Sequence, residues 1–333
     1  MPSANRRDFL TASLATSFGL AAHSNAQEEG EKKAPTTPFI HGAPHVYKFK
    51  IGDAEAWSIS DAYFYIGKGV NLMWPEEERD SMTELLASEG RHPEKGIPLY
   101  ANVLVVRTDQ ETVIFDAGFG GKENHRLGWL TSGLALAGIS PDSITAAFLS
   151  HSHSDHLNGF ARDGHAVFPN AQIHLLQAEL DFWRSPQPDF SQSKRDSKKV
   201  PGIIKTVRNH FDILEGLLKP HQGKTELLNG LVTIEPAPGH TSGHAAFRIK
   251  SGGHEFLHLM DLAHNDLLMF ANPNWTIGFD HHPKQAVETR KTFWAEAAAK
   301  GTRCYGFHLP FPGIGYILKV GQGYRWAPEP WQW

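Results

Sequence analysis

The stretch His151-Ser152-His153-Ser154-Asp155-His156 puts four metal-ligating side chains within six residues. It follows the apolar run 146–149 and precedes Gly159. A strand that ends in a loop sends alternating side chains the same way. His151 and His153 can then share one ion, while Asp155 and His156, on the turn beyond, reach a second. Imidazole and carboxylate donors suit Zn²⁺, and also Mn²⁺, Fe²⁺ or Co²⁺. Two such ions roughly 3.5–4 Å apart can share a water, lower its pKa toward 7 and deliver hydroxide to a carbonyl carbon or a phosphorus. No serine or cysteine nucleophile is needed. The single cysteine, Cys304, falls in an expected strand and reads as buried packing.

Four more segments place a histidine or aspartate at the end of an apolar run. Val113-Ile114-Phe115 leads into Asp116, and Leu257-His258-Leu259-Met260 into Asp261. Phe307 leads into His308, and His240 sits in the Gly-rich turn Pro238-Gly239-His240-Thr241-Ser242-Gly243-His244.

The elements that must carry these residues are strands arriving in hairpins, with helices between them. Hairpins are expected over 47–60, turning at Gly52-Asp53, and over 102–116, turning at 108–111. Short strands are expected over 146–149, 171–176, 231–234, 245–249, 256–260, 305–307 and 316–320. Helices are expected over 76–88, 124–137, 178–184, 203–218 and 283–300, the last with a proline at its start and Gly301 just after its end. A single parallel sheet would alternate strand and helix more strictly. Two mixed sheets with helices on their outer faces, an α+β architecture, fit better.

Composition narrows the function classes. The 333 residues carry 32 Lys and Arg against 36 Asp and Glu, so no basic field favours nucleic acid. One cysteine excludes an intrachain disulfide framework. Twenty histidines are the abnormal number.

The N-terminus reads as an export signal over 1–26: Arg6-Arg7 ahead of Phe9-Leu10, a weakly apolar middle, and small residues up to Ala26. The paired arginines are similar to a twin-arginine signal, which implies a periplasmic or secreted protein. Residues 27–44 read as a disordered linker and 45–333 as the folded domain. No other segment is long and apolar enough to span a membrane.

With its five motifs in order from about Tyr47 to the C-terminus, the chain resembles the metallo-β-lactamase superfamily. It is most similar to the branch that includes methyl parathion hydrolase and related lactonases. Gly52-Asp53-Ala54-Glu55, Ser60-Asp61, Phe311-Pro312-Gly313-Ile314-Gly315 and Gly321-Gln322-Gly323-Tyr324-Arg325 carry that second likeness. The resemblance implies an αββα sandwich with a dinuclear site at one edge, most simply two Zn²⁺. It implies His151, His153 and His240 on the first metal, Asp155, His156 and His308 on the second, and Asp261 between them. It also implies Asp116 as a supporting residue near the metals. Asp155 would in addition orient the nucleophile or take up a proton. His264 stands where lactonases of the superfamily often have a carbonyl-polarising tyrosine, and it either takes that role or lines the pocket. His244 reads as a structural group rather than a ligand. Trp183 and Phe119 read as walls of an aromatic pocket, with core packing the alternative for Trp183. His281-His282 read as solvent-exposed loop residues.

The expected function is an exported dinuclear metal-dependent hydrolase opening a hydrophobic lactone or cleaving an ester or organophosphate triester. A β-lactamase, or a metal-binding protein of the same fold without turnover, stands as the alternative. Homodimers are common among such relatives, and the resemblance leaves room for one here by analogy alone.

Overall fold

In the computed structural model, residues 44–331 are described, apart from 122, 123 and 125. The export signal and nearly all of the linker read from the sequence lie outside them. The expected first hairpin forms from β1 (Val46–Ile51) and β2 (Ala54–Ile66), which pair antiparallel across the Gly52-Asp53 turn. Beyond it come β4 (Ile97–Arg107), β5 (Thr112–Phe115), β6 (Ala146–Phe148), β9 (Gln172–Leu176) and β10 (Leu218–His221), in sheet order β1-β2-β4-β5-β6-β9-β10. Pairing is antiparallel as far as β5 and parallel from β5 to β10.

The second sheet runs β11 (Thr225–Leu227), β12 (Val232–Pro236), β13 (Ala245–Ser251), β14 (His254–His258), β16 (Arg303–Tyr305), β17 (Ile314–Val320) and β18 (Gly323–Pro328). Only β14 and β16 pair parallel there. Two small pairs complete the strands: β3 (Met73–Trp74) with β15 (Thr276–Ile277), and β7 (Ala161–Arg162) with β8 (His165–Ala166).

Burial separates three apolar layers. Between the sheets lie Phe115, Phe148, Phe247, Phe256 and Tyr305. On the outer face of the first sheet pack α2 (Leu130–Leu136), α4 (Gln177–Arg184) and α5 (Val200–Leu214), through Leu134, Trp183 and Phe211. On the outer face of the second pack α1 (Arg79–Ser88), α6 (Leu268–Ala271) and α7 (Pro283–Lys300), through Met82, Phe270 and Trp294. The result is the αββα sandwich expected from the sequence.

Several elements differ from what the sequence indicated, the strand expected over 305–307 for instance lying at Arg303–Tyr305. The helix expected over 124–137 begins only at Leu130, because Asp61 receives the Leu130 amide and fixes the start of that turn from outside. The helix expected over 203–218 starts earlier, at Val200, and stops at Leu214. Leu218 then opens an edge strand whose parallel partner, β9, is remote in sequence. Strand β18 had no pattern of its own and forms by pairing with β17.

Candidate metal centre and its cavity

Every motif residue sits just past a strand end at one edge of the sandwich. Asp116 follows β5, His151 follows β6, and Asp155 and His156 lie in the single turn α3 (Ser154–Leu157), whose N-cap is His153. His240 lies between β12 and β13, Asp261 follows β14, and His308 follows β16. Asp116 and Met260 have φ values of 57° and 48°. Left-handed backbone is unfavourable for non-glycine residues and persists where the surroundings fix it. Both mark the points at which a strand breaks to aim a carboxylate inward.

The donors converge. His151 Nε2 and His240 Nε2 lie 2.9 and 2.8 Å from His153 Nδ1. Asp261 Oδ2 is 3.5 Å from His151 Nε2 and 3.0 Å from His240 Nε2. Its Oδ1 is 3.2 Å from His156 Nε2, and Oδ2 is 3.3 Å from His308 Nε2. Asp155 Oδ2 closes the second group, 3.7 Å from His156 Nε2 and 3.5 Å from His308 Nε2. The sequence-predicted ligands thus gather as two triads with the Asp261 carboxylate between them.

The chemistry of the donor set fits cations. His156 Nε2 and Asp261 Oδ1 are buried and have no hydrogen-bond partner. Buried polar atoms are rarely left this way unless something absent satisfies them. Burial, together with the neighbouring imidazoles, pushes His151 well below the usual histidine range. Burial and the Arg195 cation do the same for His153, so both present lone pairs at neutral pH. Burial would raise Asp261, but His156, His308, His151 and His264 outweigh it and hold the carboxyl well below its ordinary value. His151 and His153 are thus neutral, as ligation requires. Against burial, Asp261 with its neighbouring carboxylates raises His156 and His240, whose protons a bound divalent ion would displace.

The remote side of each ring is fixed as well. Asp116 accepts from Ser150 N at 2.7 Å and from Ser150 Oγ at 2.6 Å, and it lies 2.6 Å from His156 Nδ1. Ser150 Oγ in turn meets His151 Nδ1 at 2.9 Å. Asp280 Oδ1 holds His240 Nδ1 at 2.7 Å, and the Tyr100 carbonyl holds His308 Nδ1 at 2.6 Å. Such partners orient a ligand ring and keep its free nitrogen turned inward. His244 acts from beneath: its Nδ1 lies 2.8 Å from the Ala237 carbonyl, and its Nε2 receives the Asp261 amide at 3.1 Å. Burial lowers its pKa to about 3, so it stays a neutral acceptor.

Glu179 is a supporting residue that the motifs did not reveal. It is fully buried on α4 and accepts four donors. Oε1 takes the Ser152 amide at 2.8 Å and the Trp183 indole at 2.7 Å. Oε2 takes the Thr241 hydroxyl at 2.6 Å and the Gly243 amide at 3.1 Å. One carboxylate therefore ties the loop of His151 and His153 to the turn of His240. Asp280, Tyr100 and Asn102, whose Nδ2 donates to the Leu309 carbonyl next to His308 at 2.7 Å, also escaped the sequence reading. A buried Asp or Glu outside a motif gives no spacing signal, and a backbone carbonyl gives none in principle.

The pocket expectation divides. A cavity of about 700 Å³ opens over the donors, lined by Phe64, Leu99, Phe119, Ile203 and Phe279 on its apolar side. Phe119 is placed on it, its amide held by Asp61 at 2.8 Å. Trp183 is not: it is wholly buried beneath the site, with its indole turned to Glu179. Its i, i+4 spacing from Glu179 along α4 points it away from the opening. The solvent-exposed reading of His281 also fails. His281 is buried, 4.9 Å from Phe182 and 4.6 Å from Phe190 by ring centres, with Nε2 3.4 Å from His153 Nε2. His264 lines the cavity, its Nε2 3.0 Å from Asp261 Oδ2, and burial brings its pKa down to about 4.

Residues 96–305 match the family model of the metallo-beta-lactamase superfamily, and the chain belongs to that superfamily. It is a metal-dependent hydrolase by the standing of that family and by its own donor set. Among solved structures it is similar to AidC, a dizinc quorum-quenching lactonase in complex with a product, N-hexanoyl-L-homoserine. Identity is 30%, coverage is 87% of this chain and 99% of that one, and the TM-score is 0.81. It is also similar to the hydrolase AbOPH of the beta lactamase superfamily, at 26% identity, 87% and 99% coverage and TM-score 0.77. A probable metal-dependent hydrolase from Staphylococcus aureus shares the fold at 18% identity, 85% and 100% coverage and TM-score 0.65. No curated protein sequence matches the chain.

Proposed function

We propose that this protein is a dinuclear hydrolase that opens lactones bearing an apolar arm, and that Arg6-Arg7 mark it for export. The observation that carries the reading is the pair of donor triads about Asp261, placed on the floor of a cavity with apolar walls. The likeness to the dizinc lactonase AidC supports two Zn²⁺ and a lactone substrate.

His151, His153 and His240 would hold one ion, Asp155, His156 and His308 the other, and Asp261 both. Bound there, divalent ions activate water and polarise the electrophile's oxygen. The chain's own groups set the rest. Asp155, partly exposed at the cavity floor, faces the opening, where it orients the nucleophile and takes up its proton. His264, kept neutral by burial, presents an imidazole to the substrate's carbonyl side in place of a phenol. Phe119, Leu99 and Ile203 receive the arm and exclude water from it.

The test is direct. The mature chain is purified with metal, its ions are counted, and it is assayed on acyl-homoserine lactones, aryl esters, methyl parathion-type triesters and nitrocefin. About two ions per chain and lactone opening abolished in Asp155→Ala are expected. One ion per chain, or turnover untouched by that substitution, sinks the reading; nitrocefin turnover alone would make the protein a β-lactamase.

A further inference from the structure

Arg195 stands on the loop between α4 and α5 and reaches into the cavity over the donors. Its guanidinium lies 5.1 Å from the centre of the Phe279 ring, and Nη2 is 2.7 Å from His153 Nε2. Its Nε is closed to solvent and has no partner. Among the described residues no carboxylate forms an ion pair with it; Asp155, Asp261 and Asp280 act on it only from a distance. Burial lowers its pKa to about 10, so it is a cation at neutral pH.

The one side-chain hydrogen bond this cation makes among the described residues, to His153, fails when the site is loaded. His153 turns Nδ1 toward His151 and His240. A neutral imidazole that gives the Nδ1 lone pair to a metal carries its proton on Nε2. That N–H can be received by His281 Nε2, 3.4 Å away. Nothing at His153 then remains to accept from Arg195, and donor faces donor. A guanidinium has five N–H donors and no acceptor. Here it lies over the Phe279 ring, with one donor already desolvated and unmet. Burying such a group without an acceptor is costly. The missing partner is an oxygen that arrives with the ligand. Lys198 and Lys199 line the same cavity and add to its positive side.

We propose that Arg195 is a substrate-binding residue that selects esters and lactones carrying a second acceptor oxygen, an amide carbonyl or a carboxylate, beside the scissile bond. The inference rests on the hydrolase reading above and deepens it: the apolar wall fixes the arm, and Arg195 fixes the polar group between arm and ring.

The test compares N-hexanoyl-homoserine lactone with an alkyl γ-lactone of matched length that lacks the amide. It uses metal-loaded wild type, Arg195→Ala and Arg195→Lys. In Arg195→Ala, kcat/KM for the acyl-homoserine lactone falls roughly 10- to 100-fold, as for a lost charge-assisted hydrogen bond, mainly through KM. The alkyl lactone changes less than about twofold, and Arg195→Lys recovers part of the loss. Calorimetry with N-hexanoyl-homoserine supplies the readout without turnover: affinity drops by the same factor while metal content holds. Equal losses on both lactones, or a fall in metal content, overturn the proposal, since Arg195 would then merely support His153. If wild type opens neither lactone, the lactone reading fails. Arg195-dependent calorimetric binding would still uphold the inference in that case, and binding that is absent or indifferent to residue 195 would overturn it.

Discussion

A glutamine at position 179 would keep the shape of the glutamate and replace two of its acceptor lone pairs with an N–H₂ group. Two of the four donors now received there would then meet another donor. Because three of the four donors belong to the loops of His151, His153 and His240, Glu179→Gln is expected to weaken metal binding roughly 10- to 100-fold, the range for lost support behind metal ligands. Competition with a chelator of known affinity would measure it, and unchanged metal retention would refute the role. Trp183→Phe removes only one of the four donors and is expected to cost about 1 kcal/mol of stability with metal content unaltered. If Trp183 were instead a substrate wall, that substitution would change KM with little change in stability.

Gly243 shows how elements are made to approach at the site. A Cβ there would stand 2.0 Å from the Glu179 backbone nitrogen, so the turn after His240 can lie against α4 only as glycine. Gly243→Ala is expected to destabilise the fold by about 1–3 kcal/mol, as overpacking does, and to loosen metal at His240 together with it. A urea titration read beside metal content would detect both, and a neutral result would show that the two elements can separate freely. The β9–β10 edge has its own sensitivity to pH. His174 lies 2.9 Å from His221 across these strands, and burial, with His221 and Lys219 nearby, lowers its pKa to about 4. The unfolded chain takes up this proton near pH 6.5 and the folded one only near 4, so stability falls as pH drops through that interval. His174→Phe is expected to show a smaller fall in Tm between pH 7 and 5 than wild type. An equal fall in both would locate the acid sensitivity elsewhere.

Over the whole molecule, the site works as a clasp between the two sheets. The first contributes Asp116, His151, His153, Asp155 and His156 through loops after β5 and β6; the second contributes His240, Asp261 and His308. Without cations, a buried carboxylate and buried imidazoles with unmet atoms lie at that seam. A ligand bound only by the folded state stabilises it according to its excess over Kd, about 4 kcal/mol at 1,000-fold excess. Chelation followed by dialysis is therefore expected to lower Tm by on the order of 10 °C, with recovery on adding Zn²⁺. A Tm indifferent to chelation would mean that the sheets need no clasp.

How much was legible in advance depended on the range of the physical signal. Strand ends, hairpin turns and α7 follow from local patterning, and α7 spans the 283–300 range the sequence indicates. The five motifs are short because each strand end supplies its donors within a few residues, so spacing alone exposed them, and family resemblance ordered them into triads. Glu179, Asp280 and Asn102 were invisible, because their partners lie tens to hundreds of residues away and a lone acidic or amide residue has no period. The sequence by itself determined which side chains can meet a metal and that two sheets would present them. Only the tertiary structure decided that Trp183 turns inward to Glu179, that His281 is buried behind His153, and that Arg195 enters the cavity. Each of those depends on which face of an element the packing covers, a long-range outcome that no local pattern encodes.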